Sequence, residues 1–479
     1  MAYRTSLALA FVSLVACSSP APPGPPGPVT DITVSSGDLV PAFSATTYNY
    51  ELTSLTTLFP VDITVSGQNV TINGAQAQDG VPLSTQIASL DDATTITINA
   101  TDGNGAPVTY NIHSLPAAAP KYDVTTLASP TPGHILLTPT QLVGSVLGGP
   151  TFLYVIDETG KLLYYLKTPT APTDFEQVKF GDGTVRYTYV LGDTPTNLAT
   201  WPVEPASAVV MDDHFHELQR IRLLPSQTHP AAGVDAHEFK LLADDHWIDV
   251  SYIDEVITDA PRLISVKVAS NVVQEVSGGN VVFDWETTSV PALFAQSSDT
   301  GHDFPNLVEP YQDVYHLNSV DIDSTNGNYV VSLRHCDEVV ELDKTTGAVL
   351  WTLGGTGDDF GLAEADKSSH QHFARMIAPG DLTMFDNGNA SGVTKIREYT
   401  LDTNAHTATV VHAITMDGHF SKAMGSAQKF GNAFFVGWGY RQASDSDVTE
   451  FDATTQQKSF ELSFENGYAS YRALKYPTQ

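Results

Sequence analysis

Three histidines recur at one position of a repeated pattern. They stand in Asp235-Ala236-His237-Glu238-Phe239, in Tyr315-His316-Leu317-Asn318, and in Gln371-His372-Phe373-Ala374-Arg375. Arg334 falls on the segment that follows His316. Near neutral pH an imidazole is both a nucleophile and a proton carrier. A guanidinium never loses its proton and can grip two oxygens of an anion in one plane. Two other readings use the same residues. Three imidazoles could hold a zinc ion, with water completing the shell for metal-assisted hydrolysis. They could also satisfy only one another and buried water, in a non-catalytic binding module. A guanidinium is repelled by a metal cation and attracted by an oxyanion, which favours the anion site.

These residues must be carried to one place by the elements around them. Residues 313–355 read as four short strands with turn chemistry between them. Asn326-Gly327-Asn328 marks one turn and Asp343-Lys344-Thr345-Thr346-Gly347 another. Between them, Tyr329, Val331 and Leu333 alternate with Val330, Ser332 and Arg334, a period of two. Four strands in roughly 40 residues is one β-propeller blade, whose first strand lines a central channel. Equivalent stretches run from His134 to Leu166, Phe175 to Leu224, Asp235 to Trp285, Gln371 to Ile414, and Gly425 to Leu462. The first of these lacks an inner strand, and a surplus strand, Tyr468 to Tyr476, remains at the end. Pairing the two closes a ring of six blades and hides both open edges. Radial repetition then points His237, His316 and His372 at one channel mouth beside Arg334. His214, His216, His246, His406, His412 and His419 read as outer-strand or loop residues, and His302 as a loop residue. Alternation predicts that His335 points away from Arg334.

Before the ring the chain has a different character. Residues 1–17 read as an export leader ending in Leu14-Val15-Ala16-Cys17, a lipobox whose Cys17 would carry lipid. The apolar run before it is too short to span a bilayer as a helix. Residues 18–28 are a proline-rich tether expected to stay extended. This predicts an exported protein anchored to the outer membrane, touching the membrane through lipid alone. Residues 29–117 alternate Thr, Val and Ile between turn groups such as Asp102-Gly103-Asn104-Gly105, as in a small antiparallel β-sandwich. Gly37 to Glu51 and Val108 to Ile112 resemble the cadherin-like domain of bacterial surface proteins. That part reads as a spacer, a partner surface or a homodimer contact. A short linker leads to the propeller at residues 121–479. The whole is therefore all-β, a six-bladed propeller preceded by a small sandwich.

Composition narrows the partners. Lys and Arg number 23 against 55 Asp and Glu, giving a net charge of −32. Such a surface repels phosphate backbones and argues against nucleic acid. An anionic substrate then needs a site made locally positive. With Cys17 lipidated, Cys336 has no partner for an intramolecular disulfide and reads as a small buried filler. No Walker-type glycine-rich loop is present, so a nucleotide sulfate donor is not supported.

Several phrases, in order and in blade context, resemble the arylsulfate sulfotransferase family: YHLNSVDID, NGNYVVSLRH, LWTLGG, QHFARM, LTMFDNG, GSAQKF and FVGWG. The resemblance covers most of residues 121–479. It implies a cofactor-free, metal-free, ping-pong transfer of a sulfuryl group from an aryl sulfate ester to a phenol. It also implies that His372, by its QH context, is transiently sulfurylated, while His237, His316 and Arg334 complete the site. Sulfuryl transfer resembles phosphoryl transfer, with loose bonding and charge on the equatorial oxygens, so positioning and fixed positive dipoles do the work. Either His237 or His316 would protonate the departing phenolate and later deprotonate the acceptor. A sulfatase using water as acceptor is a variant of the same scheme.

Overall fold

The computed structural model describes residues 28–52, 55, 60–85, 95–115, 119–143, 146–193, 206–259, 264–298, 312–416, 418–442, 446–465 and 467–478. The leader, Cys17, nearly all of the proline-rich tether and His302 lie outside the described residues. Among the described residues no helix is long and apolar enough to cross a membrane.

The Thr-, Val- and Ile-rich part forms two packed sheets. One holds Val29–Val34, Val61–Gly67 and Leu83–Thr85; the other holds six strands, with Thr95–Thr101 and Pro107–His113 near its middle. Alternation does what a pleat requires. Val61, Ile63 and Val65 of one sheet and Ile96, Ile98 and Ala100 of the other face a shared core. Each of these Val and Ile side chains contributes about 1.5–3 kcal/mol by leaving water. Asn49–Leu52 runs parallel to Pro107–His113, whereas the other pairs in the sandwich are antiparallel.

The rest is a six-bladed propeller. Blade 2 is built from Pro172–Lys179, Val185–Gly192, Ala206–Met211 and Glu217–Ile221, and blade 3 from Phe239–Ala243, His246–Asp259, Ile264–Ser277 and Asn280–Glu286. Blade 4 is Leu317–Ile322, Tyr329–Leu333, Glu338–Leu342 and Val349–Gly354. Blade 5 is His372–Ala378, Asp381–Asp386, Lys395–Asp402 and Thr407–Ile414. Blade 6 runs Ser426–Phe430, Ala433–Gly437, Val448–Asp452 and Lys458–Phe464. Blade 1 takes its inner strand from the C-terminus: Tyr468–Tyr476 pairs with His134–Val143, from Tyr476 opposite His134 to Tyr468 opposite Gln141. The ring is thus closed by hydrogen bonds between its two ends. Tyr122–Thr126, which precedes the first anticipated blade, adds to the outer edge of blade 6 beside Lys458–Phe464.

Alternation in Tyr329–Leu333 suggests one buried face, but all five residues are buried. The reason is that blades are covered on both sides. Tyr329, Val331 and Leu333 pack with Phe283 and Trp285 of blade 3, while Val330 packs with Leu382 and Met384 of blade 5. The turn after Glu338–Leu342 shows how a tip is held. The Asp343 carboxylate accepts the Thr345 and Thr346 amides at 3.0 and 2.7 Å. Gly347 follows at φ 70°, where a Cβ would lie 2.9 Å from Trp285. Only glycine combines that backbone with that contact.

Candidate active site

The inner strands of blades 3, 4 and 5 each begin at or just after a channel histidine, and the backbone is bent there. His316 sits at φ 53° just before Leu317–Ile322, and Phe373 at φ 52° just after His372. Register shifts between Leu317 and Ser319 and between His372 and Arg375 mark bulges. Bulges with left-handed residues re-aim side chains and store strain, which neighbouring structure must hold. Side chains of adjacent strands do so. Asn271 Oδ1 accepts the Leu317 amide at 2.9 Å, and Ser319 Oγ accepts the Ala374 amide at 3.1 Å.

This backbone brings His237, His316 and His372 together. The His237 ring centre lies 4.8 Å from that of His316, edge to face, and 6.4 Å from that of His372. All three are buried, as is Arg334. Tyr252 and Tyr471 wall the cluster, with ring centres 5.9 and 5.8 Å from His237. Arg334 begins a single 3-10 turn, Arg334–Cys336, directly after Tyr329–Leu333. Its charge reaches the cluster, since it is one of the groups that suppress protonation of His372.

The three imidazoles differ in what stands behind Nδ1. His237 Nδ1 is bound by the Asp235 carboxylate, which also accepts the His237 amide at 2.9 Å. His316 Nδ1 is bound by the Asp313 carboxylate. A carboxylate there orients the ring and stabilises its cationic form. His372 Nδ1 instead meets Asn387 Oδ1 at 2.6 Å. The Asn387 amide nitrogen donates to the carbonyls of Ser421 and Met424, at 2.9 and 3.0 Å. Its oxygen must therefore accept, so His372 carries its proton on Nδ1. Nε2 is left with a lone pair, which accepts the Met424 amide at 3.2 Å. Burial lowers the His372 pKa well below the ordinary histidine value; Arg334, His237 and His316 lower it further, and Asn387 only partly opposes them. His372 is thus a neutral imidazole that carries its proton on Nδ1 and its lone pair on Nε2.

Sequence reasoning missed the partners. Asp235 and Asp313 precede their histidines by two and three residues, a spacing that carried a signal. Asn387 sits in the phrase DNG, 15 residues after His372, with nothing in the chain to link them. The expectation for His335 is corrected: Arg334 Nη1 lies 2.6 Å from His335 Nε2. Strand alternation stops at Leu333, and in the 3-10 turn neighbouring side chains no longer oppose each other. His419, read as an outer-strand or loop residue, lies in a loop but is buried, its ring stacked 4.5 Å from the Trp438 ring centre. Cys336 is buried against the Leu293 and Val314 carbonyls, and burial raises its thiol pKa well above the usual range, so it is an inert filler.

A metal is poorly accommodated. Among the described residues, Asp313, His316 and His335 bring ligand atoms within 4.8 Å of one another, whereas the three channel imidazoles form no such group. Asp313 already holds both of those rings, and Arg334 presents a fixed positive charge to His335. A cavity of about 340 Å³ opens alongside, lined by Pro172, Met424, Tyr440, Tyr468 and Tyr471 among others. It shares Met424 and Tyr471 with the histidine cluster.

Residues 142–472 match the family model for arylsulfotransferase (ASST). The chain belongs to the arylsulfotransferase family. No curated protein matches this arylsulfotransferase-family chain. Solved structures resemble it at low identity. A Bacteroides caccae protein of unknown function is 13% identical, with 73% of this chain and 100% of that one covered, at TM-score 0.41. A quinonprotein alcohol dehydrogenase-like protein of Bacteroides thetaiotaomicron is 9% identical, covering 92% and 99%, at TM-score 0.35. A β-propeller domain from Myceliophteria thermophila is 8% identical, covering 70% and 88%, at TM-score 0.35. At these values the resemblances carry no argument about the chemistry of the arylsulfotransferase.

Proposed function

We propose that this arylsulfotransferase moves a sulfuryl group from an aryl sulfate ester to a phenol through a sulfurylated His372. The donor's ring enters the cavity beside Tyr440, Tyr468 and Tyr471, and Arg334 holds the sulfate oxygens. The His372 Nε2 lone pair is released by the Met424 amide and attacks sulfur, the N–S bond forms, and the S–O bond to the aryl group breaks. His237 or His316, each backed by a carboxylate, gives a proton to the departing phenolate. After the phenols exchange, the same histidine removes the acceptor's proton. The phenolate oxygen then attacks sulfur, the N–S bond breaks, and neutral His372 returns.

One observation carries the reading. The imidazole backed by an amide is held neutral with Nε2 unprotonated, while the two backed by carboxylates are suited to carrying protons. That division of labour is what a ping-pong transfer needs. The same reading puts the enzyme outside the cytoplasm, tethered by lipid on Cys17, where ready-made esters replace nucleotide donors. The test is to incubate the protein with a chromogenic aryl sulfate alone, quench, and weigh the peptide containing His372. A sulfate-mass adduct there, discharged by added phenol, is the expected result. Phenol release with no adduct and no response to acceptor would refute it.

A further inference from the structure

We infer that His335 is a positioning residue that aims Arg334 at the transferred group. The inference rests on the reading of Arg334 as the group that holds the sulfuryl oxygens. Arg334 cannot give up a proton, so at 2.6 Å the His335 Nε2 must be the acceptor of an Nη1 hydrogen. His335 then keeps its own proton on Nδ1 and donates it to the Asp313 carbonyl. The carboxylate of that same Asp313 accepts from His316 Nδ1. Backbone bonds close the frame: the Arg334 amide donates to the His316 carbonyl at 3.0 Å, and the His335 amide to the Tyr315 carbonyl at 3.1 Å. On the other side, Arg334 Nη2 donates to the Lys422 carbonyl at 3.2 Å. A guanidinium held at both outer nitrogens has a fixed plane, and the plane decides which two oxygens it can grip. The ring centres of His335 and His316 are 4.5 Å apart, so the proton carrier and the anion clamp are packed side by side.

The consequence is that His335 acts only through Arg334. A misplacement of the clamp by about 1 Å costs on the order of 10²-fold in rate. His335→Ala should lower kcat/KM for an aryl sulfate donor by about 10²-fold. His335→Gln, whose side-chain oxygen can still accept from Arg334, should recover most of that loss. On an Arg334→Ala background, His335→Ala should cost less than about twofold, since neighbouring groups of one network are not additive. Losses that multiply in the double variant, or a His335→Gln no better than His335→Ala, would overturn the inference. A second measurement works without turnover. Imidazole nitrogen-15 spectra of the resting protein should show His335 Nε2 unprotonated and Nδ1 protonated, and a protonated Nε2 would refute the bond. Should the protein lack transferase activity, the proposed reaction fails while the spectra still decide the role of His335.

Discussion

Asn387 stands 2.6 Å behind His372, at the position where His237 and His316 have Asp235 and Asp313. An amide oxygen orients an imidazole as well as a carboxylate does, but it adds no full negative charge to stabilise the imidazolium. The site therefore contains one imidazole backed by an amide and two backed by carboxylates.

Exchanging that amide for a carboxylate should undo the distinction. In the native protein burial, Arg334 and His237 keep His372 neutral to well below the ordinary histidine value. The acid limb set by His372 in kcat/KM for the donor should then lie below about pH 6.5. Asn387→Asp favours the charged ring and should move that limb upward by about one to three pH units. A pH–rate profile identical to that of the wild type would show that the tautomer is set elsewhere.

His372→Ala should abolish both the adduct and turnover. It also leaves Asn387 Oδ1 and the Met424 amide without their imidazole partner in a buried place. The variant should consequently lose about 1–3 kcal/mol of stability in a denaturant titration. Retained turnover would mean that another group is the nucleophile.

Arg334→Lys keeps the charge and removes the fork. An ammonium cannot serve His335 and the Lys422 carbonyl while also gripping two sulfate oxygens in one plane. A fall in kcat of about 10²–10³-fold is expected, the cost of losing one preorganised donor set. Steady-state kinetics showing less than about a threefold change would remove Arg334 from the reaction.

A second buried group of charges links the inner strands. Arg472, on the strand that closes the ring, bonds Asp174 of blade 2, Glu238 beside blade 3, and the Asn318 carbonyl of blade 4 at 2.9 Å. Arg375 of blade 5 joins through Glu238 at 2.8 Å. Burial alone would raise the Glu238 pKa, but Arg375 and Arg472 pull it down to about 2. Arg472→Met leaves Asp174 buried without its cationic partner and should cost about 3–5 kcal/mol in equilibrium unfolding. An unchanged midpoint would show that the closing strand is held by its ladder alone.

The six blades were legible in the sequence because turn chemistry and strand length are local. Asp343 to Gly347 announces its turn without help from the rest of the chain, and the unpaired Tyr468–Tyr476 announces the closure by being left over. Both faces of Tyr329–Leu333 were not legible, because burial of the second face depends on a neighbouring blade. The recurrence of His237, His316 and His372 at inner-strand starts was visible, since a propeller turns periodic position into spatial convergence.

What only the tertiary structure decided is the chemical character of each imidazole. Asn387 behind His372, and His335 beside Arg334, arise from a strand end on blade 5 and a 3-10 turn on blade 4, where alternation ceases to predict direction. Sequence by itself determines which groups are present and roughly at which ring position. Protonation and aim depend on hydrogen bonds between residues far apart in the chain, and those exist only once the ring has closed.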